Sequence, residues 1–109
     1  MAAKFEIKQA SNGQYMFNLK SGNGQIILTS EMYSSKSGAE NGVASVRTNA
    51  PLDERYERKT SSNGSHYFAL RAANHQIIGT SQRYASAAAM EAGIASVQEN
   101  APSANAMEV

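Results

Sequence analysis

The chain has 109 residues, no cysteine and a formal net charge of +1. That length fits one domain, the absence of cysteine excludes disulfides and thiolate metal sites, and so small a charge gives no global field for nucleic acid or an anionic membrane. Neither an apolar stretch of signal-peptide length near Met1 nor a run of about 18 apolar residues occurs, so the expectation is a soluble, cytoplasmic protein without a membrane span.

From the N-terminus, Phe5, Ile7 and Gln9 alternate with Glu6 and Lys8, and Tyr15, Phe17 and Leu19 alternate with Met16, Asn18 and Lys20. This is the period of half-buried strands. Asn12-Gly13 between them predicts a hairpin with a type I′ turn, and Asn63-Gly64 repeats the signal later in the chain. Ser21-Gly22-Asn23-Gly24 predicts a second hairpin, where the later stretch has Ala72-Ala73-Asn74-His75, so Asn23 and Asn74 are the expected left-handed residues. Strands are predicted over 4–9, 15–20, 25–30, 55–60, 66–71 and 76–81.

The period then changes to that of a helix. Ala39, Val43, Val46 and Ala50, and later Met90, Ile94, Val97 and Ala101, each form one apolar stripe. Helices are predicted over 36–49 and 87–100, N-capped by Ser35 and Ser86 and ended by Asn49 and Asn100 in the left-handed conformation before Ala-Pro. Gly42 and Gly93 sit mid-helix, where glycine costs about 1 kcal/mol relative to alanine, which predicts a close approach to the sheet or to the other helix.

All of this is written twice. Placing residues 5–51 on the later stretch so that Glu6 meets Glu57 and Asn12 meets Asn63 gives an ungapped match with about half the positions identical. Each copy is too short to bury a sufficient core, since below about 70 residues a single core rarely supplies more than about 3–5 kcal/mol. The halves must therefore share one. Residues 1–102 are expected to form a single domain of two repeats, 4–51 and 55–102, and the tail 103–109 to be disordered.

Chemistry is harder to place. His66 and His75 align with Tyr15 and Gly24, so neither belongs to a shared feature, and no metal, phosphate-loop or nucleophile motif occurs. No catalytic, cofactor-binding or metal-ligating residue is nominated. Thr29-Ser30 and Thr80-Ser81, followed by Tyr33 and Tyr84, form the densest shared polar cluster. It reads better as a strand-end and helix-cap device than as an anion site. If the helices cover the side bearing Phe5, Phe17, Leu19, Tyr56, Phe68 and Leu70, the other side stays open. The candidate contact residues there are Lys8, Met16, Lys20, Lys59, Tyr67 and Arg71. Cations beside Met16 and Tyr67 invite comparison with platforms that stack single-stranded bases, although Glu6 and Glu57 interrupt the charge.

The run Asn23-Gly24-Gln25-Ile26-Ile27-Leu28-Thr29-Ser30-Glu31-Met32-Tyr33-Ser34-Ser35-Lys36, with Ala39-Glu40-Asn41-Gly42-Val43 and Asn49-Ala50-Pro51 beyond, resembles the YegP-like family of small uncharacterised bacterial and archaeal proteins. The second copy carries the same run from Asn74 to Tyr84, then Ser86, Glu91 and Gly93, with Gly79 in place of Leu28. The resemblance implies a three-strand-plus-helix unit, present as a tandem pair or as single units that dimerise. The fold expected is α+β: two tandem βββα repeats forming one shared antiparallel sheet, pseudo-twofold symmetric, with both helices on one face. The function expected is a non-catalytic binding or protein-interaction module, acting as a monomer through the open sheet face or a groove on the pseudo-axis. Single-stranded nucleic-acid binding is the alternative. No cofactor and no particular partner is implied.

Overall fold

A computed structural model describes residues 3–109, and Met1 and Ala2, which the predicted domain includes, lie outside the described residues. Strands β1 (Lys4–Gln9), β2 (Tyr15–Lys20) and β3 (Ile26–Ser30) lead into helix α1 (Lys36–Asn49). Strands β4 (Tyr56–Thr60), β5 (His66–Arg71) and β6 (Ile77–Thr80) lead into helix α2 (Ala87–Asn100), and a last strand, β7 (Asn105–Glu108), follows. The alternating and helical patterns thus place six strands and two helices almost residue for residue. Among the described residues no helix is long and apolar enough to cross a membrane.

The seven strands form one sheet in the order β4-β5-β6-β3-β2-β1-β7. The repeats meet at its centre, where β3 and β6 run antiparallel with Thr29 opposite Thr80 and Ser30 opposite Gly79. Matching bulges at Leu19/Lys20 and Leu70/Arg71 bend the sheet alike in both repeats. One continuous core joins Phe5, Phe17, Leu19 and Leu28 to Val43 and Val46, and Phe68 and Leu70 to Ile94 and Val97. Phe5, Phe17 and Phe68 are fully buried. Each such side chain contributes about 1.5–3 kcal/mol, an amount that one repeat alone could not accumulate often enough.

Three local expectations need correction. The type I′ turn at Asn12-Gly13 does not form. In all four hairpins the amide of the fourth turn residue bonds the carbonyl of the first, as Gly13 N does with Ala10 O at 3.0 Å. Positive φ is confined to that fourth residue, Gly13, Gly24, Gly64 or His75. This is a type I turn followed by one left-handed residue, a three-residue hairpin loop. Asn23 and Asn74 are accordingly not left-handed. Each accepts a bond from a backbone amide two residues on, Gln25 N and Gln76 N, both at 3.1 Å. The left-handed position in the last hairpin falls to His75 at φ 70, a residue type tolerated there more often than most.

The second correction concerns the helix ends. Ser35 and Ser86 do cap α1 and α2, accepting from Gly38 N and Ala89 N. Asn49 and Asn100 remain helical, and their side-chain amides turn back to the carbonyls of Ser45 and Ser96, both at 2.8 Å.

The third is the tail. Rather than being disordered, β7 adds to the sheet parallel to β1, with Glu6 opposite Met107 and Ile7 opposite Glu108, so the otherwise antiparallel sheet is mixed. Arg47 fixes the approach to β7 by donating to Ala104 O at 2.6 Å, and Lys36 pairs with Glu108 at 2.7 Å.

The mid-helix glycines do mark a close approach, and its other partner is a tyrosine. A methyl group at Gly42 would lie 2.7 Å from Cζ of Tyr33 and 2.9 Å from Phe17 Cε2; at Gly93 it would lie 2.7 Å from Tyr84 Cζ. Tyr33 stacks on Phe17 and Tyr84 on Phe68, both pairs at 10° between planes. Each helix thus presents a bare backbone to a ring held at the end of its own repeat's third strand.

Candidate functional site

The open sheet face carries two related ion clusters. Glu6 lies between Lys20 at 2.9 Å and Lys4 at 3.4 Å. Glu57 is held by Arg71, whose Nε donates at 2.9 Å, and by Lys59 at 3.5 Å. The hydrogen bond from Lys20 holds the Glu6 carboxyl below the usual carboxylate range, and that from Arg71 does the same for Glu57. Of the candidate contact residues, Lys20, Lys59 and Arg71 are therefore engaged within the protein. Arg71 also donates to His75 O at 2.6 Å. The Tyr67 ring lies beneath Arg83, whose guanidinium carbon is 4.2 Å from the ring centre. Met16 is half-buried and Lys8 exposed. Lys8 lies opposite Met16 in the β1–β2 ladder, and Lys59 opposite Tyr67 in the β4–β5 ladder, so the six residues form two separate groups, one per repeat.

The Thr-Ser clusters serve the fold. Ser30 Oγ accepts from Phe17 N at 2.8 Å and donates to Glu31 O at 2.8 Å. Ser81 does the same with Phe68 N at 3.0 Å and Gln82 O at 2.7 Å. Both hydroxyls are buried and spent on backbone groups where the third strand of each repeat ends.

On the helix side two clefts lie across the junction of the repeats. The larger, of about 620 Å³, has Asn41, Gly42 and Ser45 of α1 on one wall and Asn74, Gln76 and Ile78 from the β5–β6 hairpin on the other. Tyr33 and Glu31 also line it. The smaller, of about 290 Å³, is built from the equivalent positions: Ala92, Gly93 and Ser96 of α2 face Asn23, Gln25 and Ile27, with Tyr84 and Gln82. Each cleft therefore takes its helix wall from one repeat and its hairpin wall from the other. Neither exists in a single repeat.

Burial, and secondarily the Glu31 carboxylate, pushes the Tyr33 phenol above the ordinary tyrosine range, so it stands as a neutral hydroxyl in the cleft. The flanking groups are amides, hydroxyls, aliphatic carbons and the Glu31 carboxylate. Among the described residues no group of three or more His, Cys, Asp or Glu side chains is placed to hold a metal ion.

Reasoning from the sequence named a groove on the pseudo-axis but none of its lining residues, because the walls come from distant segments, yet a signal was there. Asn23, Gln25, Ile27, Tyr33, Gly42 and Ser45 all recur unchanged as Asn74, Gln76, Ile78, Tyr84, Gly93 and Ser96. Residues shared by both copies gather at these two places.

The model of the family described as a domain of unknown function (DUF1508) matches the chain twice, over residues 10–57 and 61–108. The chain is 60% identical over 103 residues to the UPF0339 protein YegP of Escherichia coli (strain K12), covering 94% of each chain. It is 55% identical over 100 residues to a UPF0339 protein of Shewanella oneidensis, covering 92% of this chain and 91% of the relative. The solution NMR structure of YegP from E. coli, described as a protein of unknown function, superposes with a TM-score of 0.93 at 57% identity, covering 99% of this chain and 93% of that one. That of a UPF0339 protein from S. oneidensis also gives 0.93, at 51% identity, covering 99% and 92%.

Proposed function

The chain belongs to the DUF1508 family, the tandem-repeat UPF0339 proteins, and from that premise we propose that it is a non-catalytic binding module, monomeric and cytoplasmic, whose ligand site is the junction between its repeats. The observation that carries this reading is the pair of clefts, each assembled from both repeats. A pocket at an interface of structural units, apolar with a few convergent polar groups, is the usual form of a small-ligand site. The larger cleft falls within the usual range of about 300–1,000 Å³.

The open sheet face supports the nucleic-acid alternative less well. Counterion release needs cations free to meet phosphates, and Lys20, Lys59 and Arg71 already face Glu6 or Glu57. Stacking needs an uncovered ring, and Arg83 covers Tyr67.

Screening the isotope-labelled protein by NMR against a library of small polar fragments, with a single-stranded oligonucleotide at low salt as a further arm, separates the two. Saturable shifts are expected at Gly42, Ser45, Asn74 and Gln76. Shifts confined to Lys8, Met16, Lys59 and Tyr67, or no saturable shift from any fragment, would overturn the proposal.

A further inference from the structure

The two clefts share most of their lining but differ in charge, and the difference is a single pair of equivalent residues. Glu31 lines the larger cleft where Gln82 lines the smaller. Apart from the tyrosines, Glu31 is the only ionisable residue among the described residues lining either. Among the described residues its side chain forms no ion pair, in contrast to Glu6 and Glu57 on the open face. The amide of Gly38, which would otherwise offer the positive end of α1 to an anion, is already occupied by Ser35 Oγ at 3.0 Å. Ile77, Ile78 and Ala72 give the same cleft an apolar side.

We infer that the larger cleft takes a primary ammonium group carried on an unbranched apolar stem, with Glu31 facing the charge, the neutral Tyr33 phenol and the Asn74 and Gln76 amides beside it, and Ile78 along the stem. This rests on the binding reading above. An anion such as a phosphate or carboxylate would meet no cation and one carboxylate there. The smaller cleft, with Gln82 and less than half the volume, does not discriminate by charge. Glu31 is exposed, and its carboxylate adds to burial in holding the Tyr33 phenol above the ordinary tyrosine range. An alkylammonium of this kind ends a lysine side chain and also occurs in free polyamines.

The test uses the full-length labelled protein and three probes of equal length: hexylammonium, hexanol and hexanoate. The amides of Gly42, Asn74 and Gln76 report on the larger cleft, and those of Gly93, Asn23 and Gln25 on the smaller. Hexylammonium is expected to bind the larger cleft about fivefold more tightly than hexanol at low salt, the upper end for an exposed ion pair, and hexanoate more weakly than either. The preference should disappear at high salt and in Glu31→Gln, and should arise at the smaller cleft in Gln82→Glu. If hexanol moves the cleft amides but hexylammonium binds no more tightly, or if Glu31→Gln keeps the preference, the inference falls while the binding reading stands. If no probe moves them and the fragment library also fails, both fall. N-acetyl-lysine methylamide and spermidine, run side by side, then distinguish a peptide side chain from a free polyamine by which binds more tightly.

Discussion

The two repeats are least alike along the outer edges of the sheet, whereas at the pseudo-axis β3 and β6 agree at every position from Gln25 to Ser30 except one. At the axis, Leu28 of the first repeat is fully buried and its counterpart is Gly79. A methyl group at Gly79 would lie 2.8 Å from Leu28 Cγ and 3.1 Å from Thr29 O, so one large side chain fills the space that symmetry would give to two. At the edges, Ile7 is buried beneath the approach of β7, whereas its counterpart Arg58 reaches out to Glu91 at 2.5 Å and Asp53 at 2.9 Å. A duplicated chain can keep its sequence where neighbours are equivalent, as Thr29 does opposite its own copy Thr80, and changes it where two copies of a large side chain would collide or where a residue lacks a neighbour the copy has.

The sharpest way to break this comparison lies on the axis. Leu28→Gly should cost at least the about 2–5 kcal/mol of truncating a buried leucine to alanine, and Gly79→Leu about 1–3 kcal/mol through overpacking. Exchanging the two, Leu28→Gly with Gly79→Leu, should recover much of the summed loss, because the same volume is then filled from the other strand. Urea denaturation of the four proteins measures it; an exchange no more stable than the sum of the single losses would mean that the axis is not symmetric in packing.

A smaller contrast separates the helix glycines. Alanine at either position gains about 1 kcal/mol of helix propensity but overpacks the tyrosine beneath at a cost of about 1–3 kcal/mol. Gly42 would also press on Phe17, fully buried and flanked by Phe5 at 5.8 Å, while the next neighbour at Gly93 is only another atom of Tyr84, at 3.3 Å. Gly42→Ala should therefore be destabilising by about 1 kcal/mol more than Gly93→Ala in thermal melts. Adding Tyr33→Phe, which removes the hydroxyl nearest the new methyl group, should restore part of that difference.

How far these contrasts could be read in advance follows from how local each one is. Strand and helix positions follow from periods two and near four written by Phe5, Ile7, Phe17 and Leu19 and by Val43 and Val46, and the duplication doubled every signal. Turn type was not legible from Asn-Gly alone, since a type I turn and a type I′ turn both accept that pair, and only the bond from Gly13 N to Ala10 O decides between them. The tail looked small and polar, and of Met107-Glu108-Val109 only the glutamate matches the equivalent Glu57 and Glu6, too little to announce a strand. β7 pairs with β1 at the outer edge of the sheet, a long-range partner that the tail itself does not specify. The clefts needed the tertiary fold, because no segment contains more than one wall.

The smallest contrast is electrostatic, between the carboxylates that close the two halves of the open face. The Glu6 side chain is 12% exposed and bracketed by two lysines, while the Glu57 side chain is 41% exposed beside Arg71. Both carboxyls titrate lower in the folded chain than the ordinary glutamate value of about 4.3, so each adds stability above that value and loses it as pH falls through its own folded pKa. Glu6→Gln and Glu57→Gln should accordingly lower the melting temperature at pH 7 and converge on the parent protein in acid. Salt screens exposed pairs more than sheltered ones, so added salt at pH 7 should erase the Glu57→Gln deficit before that of Glu6→Gln. Equal salt sensitivity would show that the lysines around Glu6 shelter it no better than solvent does, and the two halves of the face would then be electrostatically equivalent despite their different burial.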